Sequence, residues 1–165
     1  MSIRFKKILF LKLSKIFLTF LIIVVFTISE NLKAENITGS KTYDTDTNNT
    51  QYIFTEDNSS AVVTGNTTLE RSRKLFILND SERTGNTLTI HFGSTVSTTT
   101  NSNTIFTDGA ELTIVNSGTI NSDSSKAINV SNSDGVSITN NNKGVIKSNN
   151  NTILGDAGSG AVNTT

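Results

Sequence analysis

Cysteine, proline and tryptophan are absent, histidine and methionine occur once each, and aromatic residues make up only 7% of the chain. Without cysteine, no disulfide framework and no thiolate metal site can form. Exported animal proteins commonly carry disulfides, so their absence here leans towards a bacterial surface protein. It also suits a chain that crosses a second membrane unfolded. Large aliphatics are scarce as well. From residue 35 to 165, Leu, Ile, Val and Phe total 29 residues, against 20 Asn, 24 Thr and 17 Ser. That is close to the level at which a chain buries too little apolar surface to fold. The placement of those 29 residues therefore decides between order and disorder.

The first 34 residues differ in kind from the rest. Arg4, Lys6, Lys7, Lys12 and Lys15 precede an uncharged run from Ile16 to Ile28, thirteen residues long. A membrane-spanning helix needs about 20 apolar residues, so the pattern is that of a secretory signal, with cleavage expected after Ala34. An uncleaved N-terminal anchor is the alternative. The region removed carries six basic residues and one acid. The mature chain keeps 8 Lys+Arg against 13 Asp+Glu, a net charge of −5. Phosphate-backbone binding needs a clustered excess of Lys and Arg, so nucleic acid and anionic membranes are excluded as expected partners.

Apolar doublets recur along the mature chain. Starts at Val62, Leu88, Leu112, Val136 and Val162 are followed two residues later by Thr64, Ile90, Ile114, Ile138 and Thr164. Gly85, Gly109, Gly135 and Gly160 stand just ahead of the later starts. Val96, Ile120 and Ile146 follow downstream in phase, as do Ile105, Ile128 and Ile153. Each unit holds about three short apolar–x–apolar segments between Gly, Asn, Asp and Ser. Period-2 alternation in Val/Ile/Thr-rich runs predicts half-buried strands, and no 3.6-residue stripe runs through them. A period near 24 residues without a helix leaves an all-β, right-handed parallel β-helix of about three to four coils. Leu88, Leu112 and Val136 would form one interior column, and Ile90, Ile114 and Ile138 another. Asn116 and Asn140 fall in phase and would pair as an amide ladder.

Residues 35–61 are less regular and read as an N-terminal cap or leader, with Tyr52–Phe54 as a first strand. The stretch 67–80 concentrates charge; it reads as the strand LFIL behind an exposed basic loop at Arg71, Arg73 and Lys74, with a short helix as alternative.

Residues 117–146, SGTINSDSSKAINVSNSDGVSITNNNKGVI, resemble the passenger repeats of bacterial autotransporters, the type V secretion system. NSGTI (116–120), KAINV (126–130) and SITN (137–140) carry the likeness, which covers roughly 88–162. The resemblance implies export, display at the outer membrane or release from a Gram-negative cell, and a C-terminal β-barrel translocator. No stretch after Val162 has the length of barrel strands, so the translocator is expected downstream or in a split product.

No residue set singles itself out as catalytic, cofactor-binding or metal-ligating. Asp44, Asp46 and Asn48 have calcium-loop spacing, but Asn49 replaces the loop glycine and Glu56 falls one place late, so a solvated loop is the preferred reading of 44–56. Asp108-Gly109 and Asp134-Gly135 read as equivalent turns of adjacent coils. Asp-Gly is favoured there on conformational grounds alone, although stacked carboxylates would also suit a cation or acid–base chemistry. His91 is expected to face outward. No G-x-S-x-G is present, and GDAGSG (155–160) lacks the Lys and helix of a phosphate loop. The sequence therefore leads to a non-enzymatic β-helix segment in adhesion, display or a stalk, whose partner is a host-cell or matrix ligand and neither nucleic acid nor a small molecule. A carbohydrate-active β-helix enzyme and a truncated remnant remain as alternatives.

Overall fold

Strand-forming triplets of alternating apolar residues settle into three parallel sheets, in a computed structural model that describes residues 33–80, 82–133, 135–155 and 163–164. The predicted signal segment lies outside the described residues, apart from Lys33 and Ala34. β1 (Lys33–Ile37) precedes a first pass of β2 (Ser40–Tyr43), β3 (Thr47–Asn48) and β4 (Thr50–Phe54). The second pass is β5 (Ser60–Val63), β6 (Thr68–Arg71) and β7 (Phe76–Asn79). The third is β8 (Asn86–Ile90), β9 (Thr95–Thr98) and β10 (Ile105–Asp108). β11 (Leu112–Asn116), β12 (Thr119–Ser122) and β13 (Ile128–Ser131) make the fourth. β14 (Val136–Asn140), β15 (Val145–Ser148) and β16 (Ile153–Gly155) make the fifth, and β17 (Asn163–Thr164) follows.

Each pass contributes one strand to each sheet. Sheet A orders β1-β4-β7-β10-β13-β16, sheet B orders β2-β5-β8-β11-β14-β17, and sheet C orders β3-β6-β9-β12-β15. All of the paired strands for which a register is defined are parallel. This is a parallel β-helix. Its strands are short and alternate strictly: β4 and β8 bury every second residue. Interior side chains meet their counterparts in the coil above at the inter-strand spacing of about 4.8 Å, so a narrow core suffices.

Most predicted columns are found. Val96, Ile120 and Ile146 stack in sheet C, with Leu69 joining below. Ile105, Ile128 and Ile153 stack in sheet A above Phe76 and Tyr52. Leu112 pairs with Val136 and Ile114 with Ile138. The column beneath them is shifted. Leu88 pairs with Ile114, and Leu112 with Asn86, so the expected stack of Leu88 on Leu112 is slipped by two residues. The slip keeps parity and exchanges two apolar contacts for two interior asparagines, both already satisfied. Asn86 accepts from the Ser59 amide (3.1 Å) and donates to the Thr84 carbonyl (3.3 Å). Asn116 accepts from the Gly118 amide at 3.2 Å.

Val62 is corrected by one residue. Ala61 and Val63 are the buried pair, and Val62 faces out beside Thr89. A one-residue shift exchanges the two faces of a strand, and the doublet Val62-Val63 is compatible with either parity. Residues 35–61 are likewise not an irregular leader: β2, β3 and β4 already belong to the three sheets. They do close the core with polar and aromatic groups. Glu35 accepts from Lys41 (3.1 Å) and from the Tyr43 hydroxyl (3.3 Å). Tyr43, Tyr52 and Phe76 pack with ring centres 4.6 and 5.1 Å apart. The stretch 67–80 forms strands β6 and β7, and no helix.

The tyrosine cluster sets an alkaline limit. Burial holds both phenols in their neutral form and raises the Tyr43 and Tyr52 pKa above the ordinary value, with Glu35 adding in each case. A raised folded-state pKa leaves stability intact below about pH 10, the unfolded tyrosine value, and removes it above. Phenolate absorbance should therefore rise together with loss of β-structure on alkaline titration, and Tyr52→Phe should move that transition to higher pH.

The asparagine ladder is present as expected. Asn116 Nδ2 donates to Asn140 Oδ1 at 2.8 Å, and Asn140 Nδ2 to the Gly144 carbonyl at 3.0 Å. Asn116→Ala strands the buried Gly118 amide and breaks the ladder. It should cost about 2 kcal/mol in urea unfolding.

Candidate functional site

The chain's outer surface divides into faces of different chemistry, because outward positions stack as regularly as inward ones. On sheet B the outward ranks are Ser40, Ser60, Thr87, Thr113 and Ser137, and beside them Thr42, Val62, Thr89, Val115 and Thr139. None carries charge. On sheet A, Ile53, Ile77, Phe106 and Asn129 stack outward, and the Lys74 amine sits 3.4 Å from the Phe106 ring centre.

Charge gathers at the corners that flank sheet A. The corner from sheet A to sheet B holds Glu56 and Asp57, Asp80 and Glu82, then Asp108 and Glu111 in successive coils. Arg83 is the one base among them and bonds Asp80 at 3.0 Å. The corner from sheet C to sheet A holds Arg71, Arg73, Lys74 and Lys126, with Asp123 the one acid.

The acidic corner forms a groove of about 440 Å³ lined by Asn79, Asp80, Asp108, Gly109 and Asn132. Its two carboxylates are already engaged: Asp80 with Arg83 and the Glu82 amide, Asp108 with Asn132 Nδ2 at 3.1 Å. The proposed equivalence of Asp108-Gly109 and Asp134-Gly135 is corrected. Asp108 is in register with Ser131, and the Gly109 amide donates to the Ser131 carbonyl at 2.9 Å. The next corner carries one residue more before Val136, so Gly135 packs against Glu111 instead. Gly109 and Asn132 share the left-handed place in the turn, at φ 72° and 48°. Asp134 lies outside the described residues.

The calcium-like spacing at 44–56 is broken up by the fold. Asp44 and Asp46 lie between sheets B and C, whereas Thr55 and Glu56 follow β4 at the far end of sheet A. Asp46 instead accepts the Thr68 amide of the next coil at 2.6 Å. Among the described residues, no group of three or more His, Asp or Glu side chains is placed to hold a metal ion. His91 faces out as expected, its Nδ1 3.1 Å from the Thr64 hydroxyl. GDAGSG falls almost wholly outside the described residues.

The basic cluster is where sequence reasoning missed most. Arg71 was expected on a solvated face; it occupies an interior position in register with Thr98 and is only 5% exposed. The signal for this was the alternation Leu69-x-Arg71, which places Arg71 on the same face as the buried Leu69.

No protein family, no curated protein and no solved structure matches this chain.

Proposed function

We propose that this chain is a non-enzymatic β-helix segment of an exported surface protein, a stalk or display surface of the autotransporter-passenger kind. The observation that supports this most directly is the solenoid itself, a stack of five passes whose outward positions line up in ranks from coil to coil. Such a scaffold extends by adding coils, each resting only on its neighbours, and presents a long surface at small cost in core. The resemblance of residues 117–146 to passenger repeats adds the route: export, then exposure at the outer membrane. The acidic groove gives weak support to a carbohydrate-cleaving alternative, since both of its carboxylates are held by other side chains.

The test is display. Expressed with its own N-terminal segment and joined to an autotransporter β-barrel, the chain should become accessible to added protease on intact cells. Retention in the periplasm would contradict the reading. Release of reducing ends from neutral or acidic polysaccharides by the purified chain, abolished by Asp108→Asn, would favour the enzyme.

A further inference from the structure

Arg71 is a largely buried cation with no counter-ion among the described residues. Its side chain turns inward from β6 into the corner between sheets C and A, and its Nη1 donates to the Lys74 carbonyl at 2.9 Å. The same carbonyl accepts from Gln51 Nε2 at 3.1 Å. That is the guanidinium's one hydrogen bond among the described residues, out of five N–H groups available. The ion pairs among the described residues are Lys41 with Glu35 and Arg83 with Asp80; neither involves Arg71. The hydroxyl in register above it, Thr98, is already committed to Ser102 and Thr104. Burying a charge without a partner is costly, and proteins ordinarily pair it or neutralise it.

Adjacent coils differ in length at this corner. Between β3 and β4 the corner is Asn49 alone, in a left-handed conformation (φ 63°). Between β6 and β7 it runs from Ser72 to Leu75, so the longer turn overhangs the shorter. The fully enclosed polar atoms that lack a partner are Thr67 Oγ1 and Ser94 Oγ. The remaining guanidinium nitrogens therefore reach the surface. Arg73 stands exposed on the same turn, and the Lys74 amine lies over Phe106, with Lys126 on the same corner two coils on. Burial pulls the Arg71 guanidinium below its ordinary pKa, and Arg73 adds to this.

We infer that the corner at Arg71 and Arg73 is an oxyanion-binding site, taking a sulfate or carboxylate group. The fork of the guanidinium matches such a group, and a charge-assisted bond is stronger than a neutral one. An extended nucleic acid is disfavoured, since the far edge of sheet A is lined by acids and would repel a second stretch of phosphates. The site is a property of the purified chain and stands whether or not the chain is displayed on a cell.

Titration of the purified chain with sodium sulfate at constant ionic strength, followed by NMR of the arginine Nε–Hε signals, tests this. The Arg71 signal should shift saturably while Arg83, paired with Asp80, stays still. Arg71→Met should fold, because removing a buried unpaired charge is neutral or stabilising, yet bind sulfate about tenfold more weakly or worse. Arg73→Gln, at an exposed position, should weaken it about threefold. Dextran sulfate binding more tightly per site than inorganic sulfate identifies a saccharide-borne group as the ligand, and equal affinity identifies the free ion. Unsaturable shifts, or equal sulfate affinity in wild type and Arg71→Met, would overturn the site.

Discussion

Ile114→Ala should destabilise the chain by about 3 kcal/mol, among the largest losses available from truncating one side chain. Ile114 is fully buried and stands mid-column, with Leu88 below and Ile138 above. In a globular core, neighbours relax partly into a cavity. Here the facing atoms are held at the spacing of the hydrogen-bonded ladder, so the coils cannot close over the gap without breaking register. The adjacent Val115 points outward and is half-buried; Val115→Ala should cost about 0.5 kcal/mol, as for other surface positions. Urea unfolding of the two variants checks the pair together. Comparable losses would mean that the two residues do not differ in face.

The second large effect comes from adding atoms. Gly118 sits at the corner from sheet B to sheet C, and a Cβ there would lie 2.4 Å from the Ser94 carbonyl oxygen and 2.5 Å from that of His91. Both are backbone atoms of the coil below, tied into turn and ladder hydrogen bonds. The Ser94 carbonyl accepts from the Thr119 amide at 2.9 Å, and the His91 carbonyl from the Ser94 amide at 3.1 Å. Neither can yield by a rotamer change, so Gly118→Val should cost about 3 kcal/mol or more. Gly93 provides the contrast in mechanism. It needs the left-handed backbone (φ 85°), and the atom nearest an added Cβ there belongs to the Asn66 side chain. Asn66→Ala should therefore relieve part of the penalty of Gly93→Ala, whereas at Gly118 truncating Ile90, whose Cγ2 would lie 2.8 Å from the added Cβ, leaves both carbonyl contacts in place. Melting temperatures of the four variants separate backbone crowding from side-chain crowding.

Much of the architecture was legible because a solenoid writes its fold into spacing. The matched intervals that put Ile120 with Ile146 and Ile128 with Ile153 come from coils of nearly equal length, and these columns were found as read. Reading failed where corners change length. Four residues separate Ile90 from Thr95 but only two separate Asn116 from Thr119, and that change shifts the apparent phase of Leu88 against Leu112. Two polar residues, Asn86 and Asn116, then take interior places that a search for apolar doublets passes over. Each is held by a hydrogen bond to an adjacent coil and another within its own turn; the phase shared by Asn116 and Asn140 displays the first of these for Asn116, and nothing does so for Asn86. The same holds at the N-terminal end. Residues 35–61 hold few aliphatics because Tyr43 and Tyr52 pack into the core there beside a Glu35–Lys41 pair, so the scarcity that reads as irregularity marks the cap.

The basic cluster was visible as composition and misjudged as environment. Arg71, Arg73 and Lys74 are close in sequence, yet Arg71 points inward, Arg73 is exposed, and Lys74 lies over Phe106. Alternation assigns Arg71 to the inner face; the expectation that charge stays in water argued the other way. Alternation prevailed: Arg71 stands in register with Thr98, and its guanidinium is held by the Lys74 carbonyl of its own turn. Corner length is thus the variable that governs the register of the core.

Register is therefore the claim on which the columns, the ladders and the Arg71 corner all depend, and backbone NMR measures it directly. Inter-strand nuclear Overhauser effects should connect Thr89 with Val115 and Leu88 with Ile114, and should continue from Ile114 to Ile138. Contacts joining Leu88 to Leu112 and Thr89 to Thr113 in their place would contradict the structure described here.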